Sequence, residues 1–402
     1  MKLGLFFIIL CFSIGIISYM TYNINEYMGN SLELREINSS NKKCHTINIP
    51  TTFNHLIPLN NNYLISSEYK SLELYNFNSY LDNQIIKENI YLINIKNEKY
   101  SQAKIIDFPK KIPFHPGGLS LYEKSENNYI LYIINHAVDY INEGQERIEK
   151  INISYNPKTE EVTMIYDSGI ILPNEYFLKV DSITVINESI FYFTTNKPFP
   201  SPRDSEEFYD IKSKILYFGY DCLKTIMTML NIKKCNAYIY NKKNVGNEIT
   251  IIDNSESLLN KGIAFDKKRN LLYIIKSMEK ELNIYKINNQ DDEIKTKLIK
   301  KIPILYVGNN IYYDENKDLI YIGINGKMNE YDSIVNSYKI NKNIDNVATF
   351  SGYEIIDPQN NYSINELMLM KNEYKWISSS IKINNKNYMS SIFTNGIFVC
   401  EN

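Results

Sequence analysis

The chain is built from short apolar runs separated by polar turn segments, and the clearest group of them lies between Phe114 and Tyr155. Three runs with strand character occupy residues 118–122, 129–135 and 148–155, and polar segments of hairpin length divide them. Apolar runs of this length, bounded by turn residues, are typical of β-strands that pair with their neighbours in the chain. The pattern therefore predicts an antiparallel meander.

A longer repeat follows the same order of elements. The segments GIAFDKKRNLLYIIKSMEKELNIYKI, from Gly262, and NIYYDENKDLIYIGINGKMNEYDSIVNSYKI, from Asn310, each read as strand, Asp-led turn, strand, turn and strand. Their starts are 48 residues apart, the length expected of a four-stranded propeller blade. With this period the chain has room for six or seven blades. We predict an all-β, six-bladed β-propeller, with a β-sandwich as the alternative architecture.

The first residues of the chain form a continuous apolar run, unlike the alternating pattern that follows. Lys2 precedes an apolar run from Leu3 to about Met20, which is typical of a signal peptide or a membrane anchor. No A-x-A cleavage site follows, which favours an uncleaved signal anchor. We expect a signal or anchor helix at residues 1–22, a linker at 23–43 and the propeller at 44–402. This places the protein on the secretory route, membrane-anchored or extracellular, with the membrane as a partner of the N-terminal segment.

Charge and cysteine content narrow the class of protein. With a net charge of -2, the chain has no excess of positive charge that would favour nucleic acid as a partner. Cys11 lies in the apolar run, and the four remaining cysteines indicate two disulfides in a secretory setting. Cys222 and Cys235 flank a short amphipathic segment, LKTIMTMLNIKK, and we predict a bond between them. A zinc site is the alternative reading, but no histidine lies nearby.

Short sequence motifs for glycosylation and catalysis give little information about function. Sequons occur at Asn38, Asn152, Asn187 and Asn361, as expected of a lumenal glycoprotein. The chain has no nucleophile elbow, Walker loop, dinucleotide-binding loop or EF-hand loop. Most familiar enzyme classes are therefore unsupported. The four histidines, which are the remaining candidates for acid–base chemistry, are His45, His55, His115 and His136.

The meander also carries a family resemblance. The order FHPGGLS, then a Tyr- and Leu-rich strand ending in Asn135-His136, then a strand of the E-x-I-x-I type, resembles the paraoxonase/arylesterase family. Three further patches agree in order and spacing: Leu172-Pro173-Asn174 followed by Asp181-Ser182-Ile183, then Gly262-Ile263, and the C-terminal SIFTNGIFVCEN. The resemblance spans roughly residues 44–402. It implies a propeller that hydrolyses lactones and aryl esters with calcium, which polarises the carbonyl and stabilises the oxyanion.

The resemblance assigns roles to particular residues. His136 falls on one member of a histidine pair proposed for general base catalysis, and the other member falls on Gly117. His115 lies two residues upstream of Gly117, about 6.5 Å away along an extended strand. The family's terminal disulfide, which closes its propeller, falls on Cys44 and Cys400, at the two ends of the folded part.

The calcium ligands are only partly retained. The family holds its catalytic calcium with a Glu, three Asn and an Asp. In that order these positions fall on Phe53, Val180, Lys261, Asn309 and Asn310, so three of the five oxygen ligands are lost, with both carboxylates. We predict that Lys261 is an internal cation that replaces the metal in the tunnel.

The family's second, structural calcium is better preserved. Asp181 matches one ligand, the Leu119 carbonyl is available as another, and an Asp of the family falls on Asn54. One carboxylate would hold calcium weakly. Structural calcium is therefore the cofactor that the resemblance still allows.

Three hypotheses on function result. In the first, the catalytic site has degenerated and the propeller binds or scaffolds another molecule. In the second, the protein is an active calcium-dependent arylesterase or lactonase that takes a small lactone or ester, with His136 as base and a metal held by Asn309, Asn310 and Asn260. In the third, it is a metal-free lyase or synthase of the strictosidine-synthase type.

Overall fold

The computed structural model describes residues 2–29, 32–37, 42–70, 88–137, 146–173, 179–196, 235–244, 248–290, 293–341 and 343–401, with residues 230, 233 and 246. These residues form six sheets of four antiparallel strands, and a short parallel strand extends one of them. Each sheet is a blade built from a meander. The N-terminal strand β1 (Lys43–Ile47) belongs to the last blade.

The first three blades follow one another along the chain. Blade 1 comprises β2 (Phe53–Pro58), β3 (Tyr63–Glu68), β4 (Ile90–Asn94) and β5 (Tyr100–Gln102). Blade 2 comprises β7 (Pro116–Ser125), β8 (Asn128–His136), β9 (Glu146–Asn156) and β10 (Glu161–Ile171), with β6 (Ile105–Ile106) on the outer side of β10. Blade 3 comprises β11 (Val180–Asn187), β12 (Ile190–Thr195), β13 (Ala237–Asn241) and β14 (Ile249–Ile251).

The other three blades complete the ring. Blade 4 comprises β15 (Asn260–Asp266), β16 (Leu271–Lys276), β17 (Glu281–Gln290) and β18 (Glu293–Pro303). Blade 5 comprises β19 (Val307–Asp314), β20 (Leu319–Asn325), β21 (Phe350–Asp357) and β22 (Ser363–Lys371). Blade 6 comprises β23 (Ile377–Ile383), β24 (Lys386–Ser391) and β25 (Ile397–Glu401), and β1 is its outermost strand.

The blades close into a ring around a central axis. The first strand of each blade packs against the first strand of the next, and β23 of blade 6 returns to β2 of blade 1. Closure comes from β1, which pairs antiparallel with β25 in the register Cys44↔Cys400. A disulfide joins these two cysteines across a sequence separation of 356 residues. The N-terminal and C-terminal strands are thus held in one sheet by both hydrogen bonds and a covalent bond.

The hydrophobic core lies between the blades rather than within any one of them. Six apolar clusters of buried residues each join one pair of neighbouring blades, including the pair of blades 6 and 1. Five of the six second strands contribute a tyrosine that is 0% exposed: Tyr132, Tyr192, Tyr273, Tyr321 and Tyr388. A four-stranded sheet cannot bury both of its faces alone, so each blade depends on its two neighbours.

The longer connections start and end at one face of the ring. The first strand of each blade starts at this upper face, and so the turn from the second strand to the third returns to it. The connections 69–89, 137–145, 196–236 and 326–349 all lie at these turns, whereas the corresponding turns of blades 4 and 6 are short. Helix α2 (Met328–Asn341) lies in the last of them and packs on Trp376 and Phe393 through Tyr331.

The N-terminal helix α1 runs over Lys2–Met28, beyond the expected boundary at residue 22. After it, Ile37 forms a two-way backbone bridge with Leu369 on the outer side of β22. Over the residues that the structure covers, no helix is at once long and apolar enough to cross a membrane. Membrane attachment, cleavage and the domain boundaries stay predictions.

The structure confirms the propeller and excludes the β-sandwich. The predicted meander corresponds to β7, β8 and β9. The first repeat segment corresponds to β15, β16 and β17, and the second to β19 and β20. The third strand predicted in the second segment is wrong, because residues 328–340 belong to helix α2 and β21 begins only at Phe350. The repeat starts two or three residues after β15 and β19 begin, because the first residues of those strands are not apolar in pattern. The Cys44–Cys400 bond is confirmed. The bond between Cys222 and Cys235 stays a prediction, because Cys222 lies outside the described residues. The sequon residue Asn38 also lies outside them.

A buried carboxyl group lies within blade 5. Glu354, on β21, is fully buried, and burial raises the pKa of its carboxyl to about 7, an effect that the backbone of Leu305 partly offsets. Burial likewise raises the pKa of Glu330, in the first turn of α2, to about 7, although it accepts a hydrogen bond from the Phe350 amide. Both groups are therefore protonated more readily in the folded protein than in the unfolded chain.

Removal of the terminal disulfide should lower stability strongly. For Cys44→Ser, Cys400→Ser and the double variant we expect the same loss, roughly 4 to 5 kcal/mol in the free energy of unfolding, because the bond closes nearly the whole chain. Denaturant titration without reductant measures it. A double variant much less stable than either single variant would mean that the two side chains act independently rather than through one bond.

Glu354 should make stability fall as pH rises. Its folded pKa of about 7 lies above the ordinary glutamate value of 4.5, so its contribution to stability is complete below about pH 4.5 and is lost as pH rises to about 7. We expect Glu354→Gln to gain roughly 2 to 3 kcal/mol relative to the unsubstituted protein between pH 5 and pH 8. Urea titrations at both pH values test this, with Glu330→Gln as the matched variant. Parallel pH curves for Glu354→Gln and the unsubstituted protein would contradict it.

Candidate functional site

Each of the six first strands has an irregularity in its pairing close to the upper face. The register shifts between Phe53 and His55 and at the equivalent place in the other five blades. A bulge of this kind leaves residues out of the ladder and redirects their side chains. We call the residues spanned by these shifts the bulge ring: Asn54, Gly117, Gly118, Asp181, Lys261, Gly262, Asn309, Asn310 and Ser378.

The bulge ring collects most of the residues that the sequence nominated. Lys261 and Asp181 come from neighbouring blades, and Lys261 Nζ lies 2.8 Å from Asp181 Oδ1. Asn196 donates a second hydrogen bond from Nδ2 to the same oxygen, at 2.5 Å. The side chains of Lys261 and Asp181 are 24% and 10% exposed. The residue expected to replace one calcium therefore neutralises the carboxylate expected to hold the other.

The amides of the ring are also engaged. Asn310 donates from Nδ2 to the Asn54 carbonyl at 3.0 Å, a bond that passes over blade 6 from blade 5 to blade 1. Asn309 and Asn310 are both buried. Ser378 donates to the Phe53 carbonyl at 2.9 Å. The bulge-ring residues of blades 5, 6 and 1 are therefore uncharged. The charged residues of the bulge ring, Asp181 and Lys261, lie on blades 3 and 4.

His55, beside the ring, has a structural role. Its Nδ1 accepts a hydrogen bond from the Leu119 amide at 2.7 Å, so the proton of the neutral ring is on Nε2. Burial lowers the pKa of His55 to about 4, and the charge of Asp181 opposes this only in part. The residue thus joins blades 1 and 2 as a neutral imidazole. The sequence offered no reason to prefer it over the other histidines.

The imidazole of His136 packs against Gly117 of the bulge ring. A Cβ atom added to Gly117 would lie 2.5 Å from His136 Nε2, so glycine at this position is what allows the imidazole to approach. Nδ1 of His136 lies 2.9 and 3.0 Å from the two carboxylate oxygens of Glu146. Because a carboxylate only accepts hydrogen bonds, Nδ1 carries the proton and Nε2 is the basic nitrogen.

Glu146 is the site residue that the sequence did not reveal. It is the first residue of β9 and lies directly opposite His136 in the ladder. Residues 137–145 lie between the two in the chain, so sequence spacing alone does not indicate this pairing. His115 forms a similar contact, with Nδ1 3.3 Å from Glu88 Oε2, and its backbone carbonyl accepts from the His136 amide. His115 and His136 are thus neighbours, each held by its own glutamate.

The donor set fits calcium poorly. Phe53 and Val180 are fully buried in apolar clusters, and Lys261 brings a positive charge where the family has an amide. In the part of the chain that the structure describes, no three His, Cys, Asp or Glu side chains lie together as a metal site. Calcium prefers six to eight oxygens with several carboxylates. The ring offers one carboxylate, which already has a cation, and calcium binding stays a prediction.

Comparison with known proteins does not identify a family for this chain. No protein-family model and no curated protein sequence matches this chain. Among solved structures, a luciferin-regenerating enzyme aligns with a TM-score of 0.48 and 8% identity over 90% of this chain and 95% of its own. A gluconolactonase from Xanthomonas campestris aligns with a TM-score of 0.44 and 10% identity over 91% and 94%. The Malassezia sympodialis allergen Mala s 1 aligns with a TM-score of 0.47 and 10% identity over 89% and 95%.

The Lys261–Asp181 pair should be energetically coupled. We expect Lys261→Met and Asp181→Asn each to lower the free energy of unfolding by about 1 to 3 kcal/mol, because each leaves a largely buried partner unpaired. The double variant should cost less than the sum by at least about 0.5 kcal/mol. A denaturant double-mutant cycle measures this. The exposed pair Lys96–Glu160, 61% and 45% exposed, is the matched control and should couple more weakly; equal coupling in the two cycles would contradict the expectation.

Proposed function

We propose that this propeller is a paraoxonase-like scaffold that binds a small, neutral carbonyl compound, such as a lactone or an ester, at its upper face without catalytic calcium. One observation carries the proposal: the bulge ring holds the Lys261–Asp181 ion pair at the place where the resemblance expects a metal. A fixed ammonium supplies positive charge there but lacks the open coordination positions of a metal ion.

The charge balance of the ring favours a neutral ligand. The charges of Lys261 and Asp181 cancel, and the residues contributed by blades 5, 6 and 1 carry none. An anionic or cationic ligand would have to give up its hydration without a complementary charge. A neutral carbonyl group avoids that cost and needs only a hydrogen-bond donor.

Lys261 supplies such a donor. An ammonium has three N–H groups, and the described residues account for a bond to Asp181. With 24% of its side chain exposed, Lys261 can direct another N–H towards a ligand carbonyl. Hydrogen bonds from a charged donor are the stronger class, worth roughly 1.5 to 3 kcal/mol each. The proposal thus assigns Lys261 a direct role in ligand binding.

An active hydrolase is the second candidate, and the His136–Glu146 contact favours it. A carboxylate that accepts a hydrogen bond from Nδ1 of a histidine orients the ring and keeps it in the tautomer whose basic nitrogen is Nε2. Nε2 of His136 lies against Gly117 of the bulge ring. In this version His136 is the general base and Glu146 its positioning residue, whereas the binding proposal treats the pair as structural.

We also propose that the protein works in the secretory pathway or outside the cell. The Cys44–Cys400 disulfide supports this, because such bonds persist in oxidising compartments. The apolar N-terminal run supports attachment to a membrane. The two supports are independent, since the disulfide would also be found in a protein released by cleavage.

Ligand binding should be independent of calcium. The chain's one tryptophan, Trp376, directly precedes β23 at the upper face and gives a fluorescence signal close to the ring. We expect a γ-lactone or phenyl ester to change this signal saturably and equally in EDTA and in calcium, without being consumed. Lys261→Met should weaken binding roughly tenfold to a hundredfold through the lost hydrogen bond.

The same samples separate the two candidates. Lys261→Asn should not create calcium-dependent turnover, because Phe53 and Val180 still supply no oxygen ligand. Hydrolysis that chelator abolishes and calcium restores would refute the binding proposal. Loss of that hydrolysis in His136→Gln, and its reduction with a shifted pH profile in Glu146→Gln, would establish the hydrolase.

A further inference from the structure

The outer edge of blade 4 stands apart from the other outer edges. In blade 2 the long outer strand β10 is partly covered by β6, and in blade 5 the outer strand β22 is partly covered by Ile37. The outer strands of blades 1, 3 and 6 are short, with 3, 3 and 5 residues. Strand β18 has 11 residues, and no strand among the described residues pairs with its outer side.

An uncovered strand edge presents unpaired N–H and C=O groups along its length. In β18 the side chains alternate between exposed and partly buried, and the exposed positions include Lys295, Lys297 and Lys301. Ile299, which is 50% exposed, lies at a register shift in the pairing with β17, and Lys301 Nζ lies 3.6 Å from Glu281 Oε2. The edge therefore combines backbone hydrogen-bonding capacity, the two exposed lysines Lys295 and Lys297, and an apolar position.

One cross-strand pair in this hairpin is electrostatically unfavourable. Lys297 lies directly opposite Lys286 of β17, and like charges in such positions destabilise a sheet. Lys286 donates to the Arg269 carbonyl at 2.6 Å, but neither lysine forms an ion pair with an acidic side chain in the part of the chain that is described. A carboxylate brought in from outside would relieve the repulsion.

We propose that β18 is a docking edge for an acidic, extended segment of a partner protein, which adds to blade 4 as a fifth strand. Backbone hydrogen bonds along β18 provide affinity, as in other cases of strand addition. Acidic side chains at two alternate positions lie beside Lys295 and Lys297, and an apolar residue covers Ile299.

The charges decide against a second copy of this chain as the occupant. Lysines on an edge strand oppose the pairing of identical edges, which is how many proteins prevent edge-to-edge association. The same lysines attract an acidic strand and accelerate its association at low ionic strength. This surface lies at the outer rim of blade 4, so the proposal does not depend on ligand binding at the bulge ring.

The test uses the full chain and a fluorescein-labelled ten-residue peptide in which glutamate alternates with valine. We expect saturable binding, measured by fluorescence anisotropy, that weakens as salt is raised. The double variant Lys295→Glu/Lys297→Glu should lose at least tenfold in affinity. The matched control is Lys110→Glu/Lys111→Glu, which reverses two exposed charges on blade 2 and should bind like the unsubstituted protein.

Two further probes distinguish strand addition from attraction to a charged patch. A peptide with N-methyl groups on the residues that face β18 loses its backbone donors and should bind at least tenfold more weakly. The unmodified peptide should slow hydrogen exchange of β18 amides. Equal binding of the methylated peptide or of heparin, unchanged β18 exchange, or no binding at low salt would each overturn the proposal.

Discussion

The structure depends on closing a ring of small sheets. Each blade has too few strands to enclose a core, and the apolar clusters lie at the six interfaces between neighbours. If the ring opened at blade 6, the faces of blades 6 and 1 would meet water, and the cluster shared by Ile47, Phe53 and Tyr388 would be lost. The pairing of β1 with β25, reinforced by Cys44–Cys400, prevents this.

The candidate site is a consequence of that closure. Its side chains come from the first strands of all the blades, at bulges that turn them out of the ladder. Polar bonds cross from blade to blade close to the axis, among them Leu119 to His55, Lys261 to Asp181 and Ser378 to Phe53. The geometry of the site therefore depends on the closed ring. Its two charges, on Lys261 and Asp181, neutralise each other. This balance is what separates it from a calcium site, where uncompensated carboxylates await a cation.

The outer rim follows a different rule. Near the axis every blade is covered by its neighbours, whereas the fourth strand of a blade has a free outer side unless another segment reaches it. The chain covers part of two such edges with its own residues, through β6 and Ile37. It places alternating lysines along the third long edge, β18. Among the three long outer strands, β18 is the one that no other described strand or backbone bridge pairs with.

The sequence by itself determined the local elements and the repeat. Hydrophobic period and turn residues act over a few positions, so β7, β8 and β9 and the blade period could be predicted from them. The tertiary structure decided which distant residues meet. Lys261 and Asp181 were nominated for separate sites, and Glu146 not at all, because no local pattern encodes a contact between blades or across residues 138–145. Bulge positions and ring closure set those contacts, and both depend on packing summed over the whole chain.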